Sequence, residues 1–257
     1  MINDICAIDM HSHINHGVEG DSLGIEYEVY RADLGYLTKM ALAARIEKTF
    51  ISTFSSVLST SRIAEENEYM KMLSEKEASV YFWVVIDPRD PKTLRQAEAM
   101  LGKGKCVGIK MHPAYHGYVL ADHFDTIVNL AAKHRATVLI HPEKGGAETM
   151  VRMALECPEI NVINPHVASS YDIETLVRAG LSKNFWLDTS GIGSSRNAVI
   201  EYAYELCGAD RILFGTDTYA AGFQRGRIEY AMIPDSAKER ILRYNALELF
   251  SDTLGRN

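Results

Sequence analysis

The 257-residue chain is 47% hydrophobic and carries a net charge of −7 with histidine neutral. That is enough apolar material for a sizeable core and the wrong sign for a nucleic-acid surface, which collects Lys and Arg. Cys6, Cys106, Cys157 and Cys207 are widely spread without a CxxC pair, which argues against a disulfide framework or a cysteine zinc site; with no basic leader and no membrane-length apolar run, a cytoplasmic protein with no membrane partner is expected.

The first element is the run ICAIDMHSH (5–13), a short β-rich stretch ending in histidines. Alternate residues of a strand share a face, so Asp9, His11 and His13 are expected to point the same way, the two imidazoles one pleat apart. The helical pattern ADLGYLTKMALAARIEK follows, with apolar residues near i, i+3, i+4 and i+7. A second strand is expected at KTFISTFSS (48–56) and a third at VYFWVVID (80–87). In DPRDPKTLRQAEAM, Asp90 is a cap and Pro91 suits the first helical turn. Strands are then expected at CVGIKMHP (106–113), TVLIHP (137–142), NVINPHVAS (161–169), NFWLDTSG (184–191) and RILFGTDT (211–218). Between them lie the amphipathic stretches DHFDTIVNLAAKHRA and AETMVRMALEC, and PDSAKERILRYNALELF follows as the last helix. Trp83 and Trp186 fall within strands and are assigned to packing between barrel and helices.

Strand–helix alternation implies parallel strands with right-handed crossovers. Eight units at roughly thirty-residue spacing give the arithmetic of a TIM-type (β/α)8 barrel. A doubly wound sheet fits less well, because HSHINHG is not the Gly-rich turn that opens one. With no linker or repeat visible, residues 1–257 are read as one barrel domain.

Polar residues gather at the C-terminal ends of these strands, the active-site face of such a barrel. They are His11 and His13, Lys110 and His112, His141, His166, Asp188 and Ser190, and Asp217. A single histidine at a strand end is usually a packed or hydrogen-bonded residue, and His16, His116, His123 and His134 are left at that reading. Four histidines and an aspartate converging on one face suit a divalent ion such as Zn2+. Asp9, on the same face, is expected to orient one of the histidines.

Together IDMHSH, GIKMHPAYHGY, VLIHP, NPHVAS, ILFGTDT and the closing YNALELF resemble the amidohydrolase superfamily, in particular its amidohydrolase-related, metal-dependent hydrolase branch. The resemblance covers almost the whole chain. It implies metal ligands at His11, His13, His141 and Asp217, with His166 a ligand in two-metal relatives and a contact to the reacting group in one-metal relatives. It implies that Asp217 also serves as general base, and that His166 or His112 polarises a carbonyl oxygen. Lys110 occupies the place of a lysine that some two-metal relatives carboxylate. Its alternatives are a plain substrate-binding lysine or one paired with Asp87 or Glu143. One ion is the simpler expectation, and two would require carboxylated Lys110.

The expected activity is metal-assisted hydrolysis of an amide, lactone or related carbonyl bond of a small molecule. A decarboxylase of the same superfamily is the alternative, with Lys110, Arg31 and Arg62 available for an acid. A TatD-like nuclease fits less well, since Lys110 and His112 stand where such proteins carry a glutamate. A metal-binding protein without turnover would close its site with four ligands, whereas more candidates than that converge here. Specificity is placed in the loops, which hold Tyr27, Tyr30, Tyr115, Tyr118, Tyr219 and Phe223 to stack on a ring or close the mouth. Arg225 and Arg227 are there to bind an anion or simply to be solvated. Substrate identity and the number of copies, a homo-oligomer included, are left open.

Overall fold

The computed structural model describes residues 2–16, 32–167 and 182–255. Eight strands, Ala7–Ile14 (β1), Ile46–Thr53 (β2), Val80–Val85 (β3), Cys106–Met111 (β4), Thr137–Ile140 (β5), Asn161–Asn164 (β6), Phe185–Asp188 (β7) and Ile212–Leu213 (β8), form one sheet in chain order. Each is parallel to its neighbour. Backbone hydrogen bonds from Met10 N to Phe214 O (3.0 Å) and from Thr216 N to His11 O (3.1 Å) join the last strand region to the first. The architecture is the expected (β/α)8 barrel. Among the described residues no helix is long and apolar enough to cross a membrane.

Strands buried on both faces need apolar residues on both, and these separate into two layers. Ile8, Met10, Phe50, Tyr81, Trp83, Val107, Leu139, Ile163, Trp186 and Leu213 form an inner cluster with Phe250 and Leu254. Ile51, Phe82, Val84, Ile109, Val138, Val162, Phe185 and Phe214 pack outward against helices such as Pro91–Met100 and Phe124–His134. Trp83 and Trp186 therefore fill the barrel interior rather than the barrel–helix layer. The chain end plugs that interior: Phe250 meets Phe50 edge-on at 5.0 Å and Trp83 at 5.7 Å.

Three strands carry an extra residue: Glu47 on β2, since Ala7 pairs with Ile46 and Ile8 with Lys48, and one each on β1 and β4, the two that bear on the site. Asp9 pairs with Thr49 and Ser12 with Ile51, so Met10 and His11 together oppose Phe50. Phe82 pairs with Cys106 and Trp83 with Gly108, which makes Val107 the extra residue of β4. A bulge of this kind reverses the side-chain alternation beyond it. Ile8 and Met10 point inward, and so do His11 and His13; Val107 points inward, and so does Lys110. Gly108 is required where it stands. A Cβ there would lie 2.3 Å from Thr137 O and 2.8 Å from Trp83 Cζ3.

Local rules explain most boundaries. Asp90 caps the helix Pro91–Met100 by accepting from Lys92 N, as its position predicts. The helix Leu34–Ala43 stops earlier than its apolar period suggests, because Arg45 adopts a left-handed φ of 53°. Ile46 and Glu47 then join β2 ahead of the expected start at Lys48, and Phe54–Ser56, expected as strand, belong to the helical turn Phe54–Leu58 capped by Thr53.

Phe250→Ala should lower unfolding free energy by about 3–5 kcal/mol, the usual cost of truncating a buried phenylalanine, as measured by urea denaturation. A loss under about 1 kcal/mol would mean that the chain end is not part of the barrel core.

Candidate metal centre

The strands end below the site, and the chemistry lies at or just beyond their ends. β8 stops at Leu213, and the following turn is held to β1 by other means. Thr216 N and Asp217 N both donate to His11 O, at 3.1 and 2.7 Å. The Thr218 hydroxyl accepts from His13 N (2.7 Å) and donates to His13 O (2.8 Å), replacing a strand neighbour. Gly215 lets this turn approach, since a Cβ there would lie 3.0 Å from both His11 Cβ and Ser190 Cβ.

Asp9 does not share the face of the histidines. The bulge at Met10–His11 leaves it on the outer side, where it accepts from His11 N (3.1 Å), Thr216 N (3.0 Å) and the Thr216 hydroxyl (2.7 Å). It ties β1 to the Asp217 turn instead of orienting an imidazole. That orientation comes from Asp188 at the end of β7, whose Oδ2 accepts from His11 Nδ1 at 2.9 Å. The LDTSG stretch carried that signal: an acid closing an apolar strand on the functional face.

With its hydrogen on Nδ1, His11 presents a lone pair at Nε2. His13 Nδ1 faces the Ser52 carbonyl at 3.3 Å and Ser52 Oγ at 3.0 Å. A carbonyl can only accept, so the hydrogen belongs on Nδ1 and the His13 lone pair also points inward. The two Nε2 atoms are 3.2 Å apart, and Asp217 Oδ1 lies 3.2 Å from that of His13 and 3.6 Å from that of His11. An ion about 2.1 Å from each nitrogen or oxygen holds its donors about 3.0–3.4 Å apart, so the spacing fits a divalent cation. Among the described residues, His11, His13 and Asp217 form one such group, while His11, His166 and Asp188 form a second. The second is a hydrogen-bond network: Ser190 Oγ lies 3.0 Å from His11 Nδ1 and 2.9 Å from His166 Nδ1.

Lys110 is buried at 1% exposure, and its Nζ donates to His11 Nε2 at 2.9 Å. It pairs with neither Asp87, which binds Arg89, nor Glu143, which accepts from Leu120 N. His166 Nε2 lies 3.1 Å from His141 Nδ1 and 3.9 Å from Asp217 Oδ2, and His112 stacks on His141 at 4.2 Å. All the expected histidines thus meet in one place, although His141 touches His166 and His112 and is not within the three-donor group. Tyr115 stands at the rim, 60% exposed, with its ring 4.6 Å from His112.

Arg31, Tyr27 and Tyr30 lie outside the described residues. Arg62 is engaged by Glu65 and Glu66. Arg225 is paired with Glu229 and backbone carbonyls, and Arg227 with Glu201 and Ser194 O. His16 pairs with Glu66.

Burial sets the protonation of the site. It lowers His11 to about 3, with Lys110 adding to the effect and Asp188 opposing it, and lowers His141 to about 3 with help from His166. It lowers Lys110 to about 8 against the attraction of Asp217 and Asp188. Burial also pushes the Asp217 carboxyl up, but the neighbouring His13, His166 and His11 imidazoles outweigh it and hold the group well below the usual range.

These shifts fix a direction for acid stability. Between about pH 6.5 and 3 the unfolded chain protonates His11 and His141 while the fold keeps them neutral, so stability falls as pH falls, by about 1.4 kcal/mol per pH unit and group. Burial lowers His13, His112 and His116 as well. Asp9, raised by burial to about 7, opposes them with one group. The Tm of chelator-treated protein should therefore drop steeply from pH 7 to 5. A flat Tm would mean that these imidazoles are not held neutral.

No curated protein sequence matches the chain. Among solved structures, a dihydroxybenzoic acid decarboxylase from Polaromonas sp. JS666 with bound manganese superposes with a TM-score of 0.76 at 17% identity, covering 98% of each chain. A 5-carboxyvanillate decarboxylase from Sphingomonas paucimobilis gives 0.72 at 14% identity, over 95% of this chain and 98% of that one. An amidohydrolase from Burkholderia multivorans with bound zinc gives 0.74 at 13% identity, over 96% and 99%. At these identities the likeness is one of fold. A family profile described as amidohydrolase, however, matches residues 8–251, and the chain belongs to that family.

Proposed function

We propose that the protein is a metal-dependent hydrolase that opens an amide, lactone or related carbonyl bond of a small molecule. The observation that carries this reading is the division of labour within Asp217. Its Oδ1 faces the two Nε2 lone pairs, while its Oδ2 faces His166 Nε2 on the mouth side. His11, His13 and Oδ1 would hold one divalent cation, which we assign as Zn2+ from its nitrogen and carboxylate donors. When bound, that ion supplies a Lewis acid that acidifies water and polarises a carbonyl oxygen.

The chain's own groups do the rest. Asp217, kept ionised, takes a proton from water on Oδ2 and returns it to the leaving group. His166 Nδ1 faces the Ser190 carbonyl at 3.3 Å and Ser190 Oγ at 2.9 Å, so its hydrogen belongs on Nδ1, as in His13, and its Nε2 lone pair faces the reacting groups, where it accepts a hydrogen bond from the attacking water. His112, stacked on His141, supports that side of the mouth, and Tyr115 borders the substrate. Lys110 keeps positive charge beside His11. A second ion would need carboxylated Lys110, and one ion is the simpler assignment.

Decarboxylation is the second reading, favoured by the decarboxylases among the similar structures. It asks for cations that grip a carboxylate. Among the described residues Arg62, Arg225 and Arg227 are engaged by acids and Lys110 is buried against His11, while Arg31 lies outside them; hydrolysis is our first reading.

Elemental analysis of protein purified without chelators should find about one ion per chain, lost in His11→Ala and kept in Lys110→Ala. Two ions, one of them lost with Lys110, would establish the two-metal alternative. Against a panel of lactones, amides and hydroxylated aromatic acids, water consumption without CO2 release is expected, and CO2 release would replace the hydrolytic reading with the second. Asp217→Asn should lower turnover by at least about a hundredfold. Near-wild-type turnover at full metal content would remove Asp217 from the base role.

A further inference from the structure

Both bulges that aim the polar groups of the site touch one side chain. Trp83, on β3 between them, donates its indole N–H to Met10 O at 2.9 Å. Met10 is one of the two residues that oppose Phe50, so its position departs from the regular ladder. The same ring occupies the space that Gly108 leaves by lacking a side chain, directly at the bulge of β4. Beyond these two points lie His11 and His13 on one strand and Lys110 and His112 on the other. Without the extra residues, Ser12 and Ile14, or Ile109 and Met111, would face the interior instead.

We infer that Trp83 is the positioning residue of the metal centre. Its indole fixes the Met10 carbonyl, and with it the turn that swings His11 and His13 inward. Its ring also fixes the register in which Lys110 reaches His11. A phenylalanine fills most of the volume but cannot hold the carbonyl. This inference rests on the reading of His11, His13 and Asp217 as metal ligands, and it adds a determinant that touches neither metal nor substrate. Trp186 is the matched control. It too is interior, and its indole donates to Asn161 Oδ1 at 3.2 Å, away from the bulges.

The test compares wild-type protein, Trp83→Phe and Trp186→Phe, each titrated with Zn2+ against a chromophoric chelator and loaded with Co2+ for its visible absorption spectrum. Trp83→Phe should bind Zn2+ about 10–100-fold more weakly, as loss of an outer partner of a ligand does, with an altered Co2+ spectrum. Trp186→Phe should match wild type in both readouts. Equal affinity and an unchanged spectrum in Trp83→Phe would overturn the inference. If that variant does not fold, the wild-type protein labelled with 15N-tryptophan decides. The Trp83 indole N–H resonance should move on Zn2+ addition and the Trp186 resonance should not; an unmoved Trp83 signal overturns the proposal. Wild-type protein that binds no Zn2+ would overturn the metal reading itself, and this inference would fall with it. That outcome is distinct from binding that Trp83→Phe leaves intact.

Discussion

His11 Nε2, His13 Nε2 and Asp217 Oδ1 face one another across 3.2 to 3.6 Å with no hydrogen among them, and acceptors so placed repel unless positive charge stands with them. A proton is the cheapest such charge in water, but here burial opposes it, lowering both imidazoles far enough that neutral pH leaves them bare. Lys110 answers part of the demand from one side, through His11 Nε2. A divalent ion answers it for all three donors at once, and the donor set has the chemistry for one. The cluster is thus a candidate for a cation because its surroundings refuse protons, not merely because histidines are near.

Bringing those acceptors together strains the chain in several places. His166, Asp217 and Thr218 all adopt left-handed conformations, with φ of 62°, 53° and 67°. For residues with a side chain this costs on the order of 1 kcal/mol each, and Thr218 is β-branched besides. The surrounding hydrogen bonds hold these conformations in place. Asp9 pins Thr216 from outside, Thr218 substitutes its hydroxyl for a strand neighbour of His13, and Asp188 accepts from both His166 N and Ser190 N. The strained residues sit on turns, and the unstrained strands beneath them fix where those turns begin.

Much of this was legible in the residues. Eight apolar runs separated by helical patterns specify the barrel because parallel strands buried on both faces must be apolar throughout. The polar residues at their C-terminal ends specify which rim is functional. The face of Asp9 was not legible, because alternation along a strand is a rule for regular strands and a bulge leaves no mark in IDMHSH itself. Gly108 in CVGIK is the nearest thing to a visible trace of the second bulge. Trp83 looked like outer packing for a related reason. An all-apolar strand such as VYFWVV does not say which of its faces looks inward, and here the indole inside reads a backbone carbonyl 73 residues away.

The interior is consequently two-storeyed, and the boundary falls between adjacent residues. Met10 belongs to the apolar floor with Phe50, Trp83 and Phe250, while His11 belongs to the polar storey above. That closeness matters for the chemistry. A floor of water-filled polar groups would solvate an imidazolium, and the histidines would then titrate in their ordinary range and compete as bases with the carboxylate. A dry floor disfavours charge on the imidazoles yet leaves Asp217, higher and nearer the mouth, ionised by its neighbours. The aromatic packing at the far end of the chain and the neutrality of the histidines at its beginning are therefore one arrangement. The plug keeps the floor apolar, and the apolar floor keeps the lone pairs free.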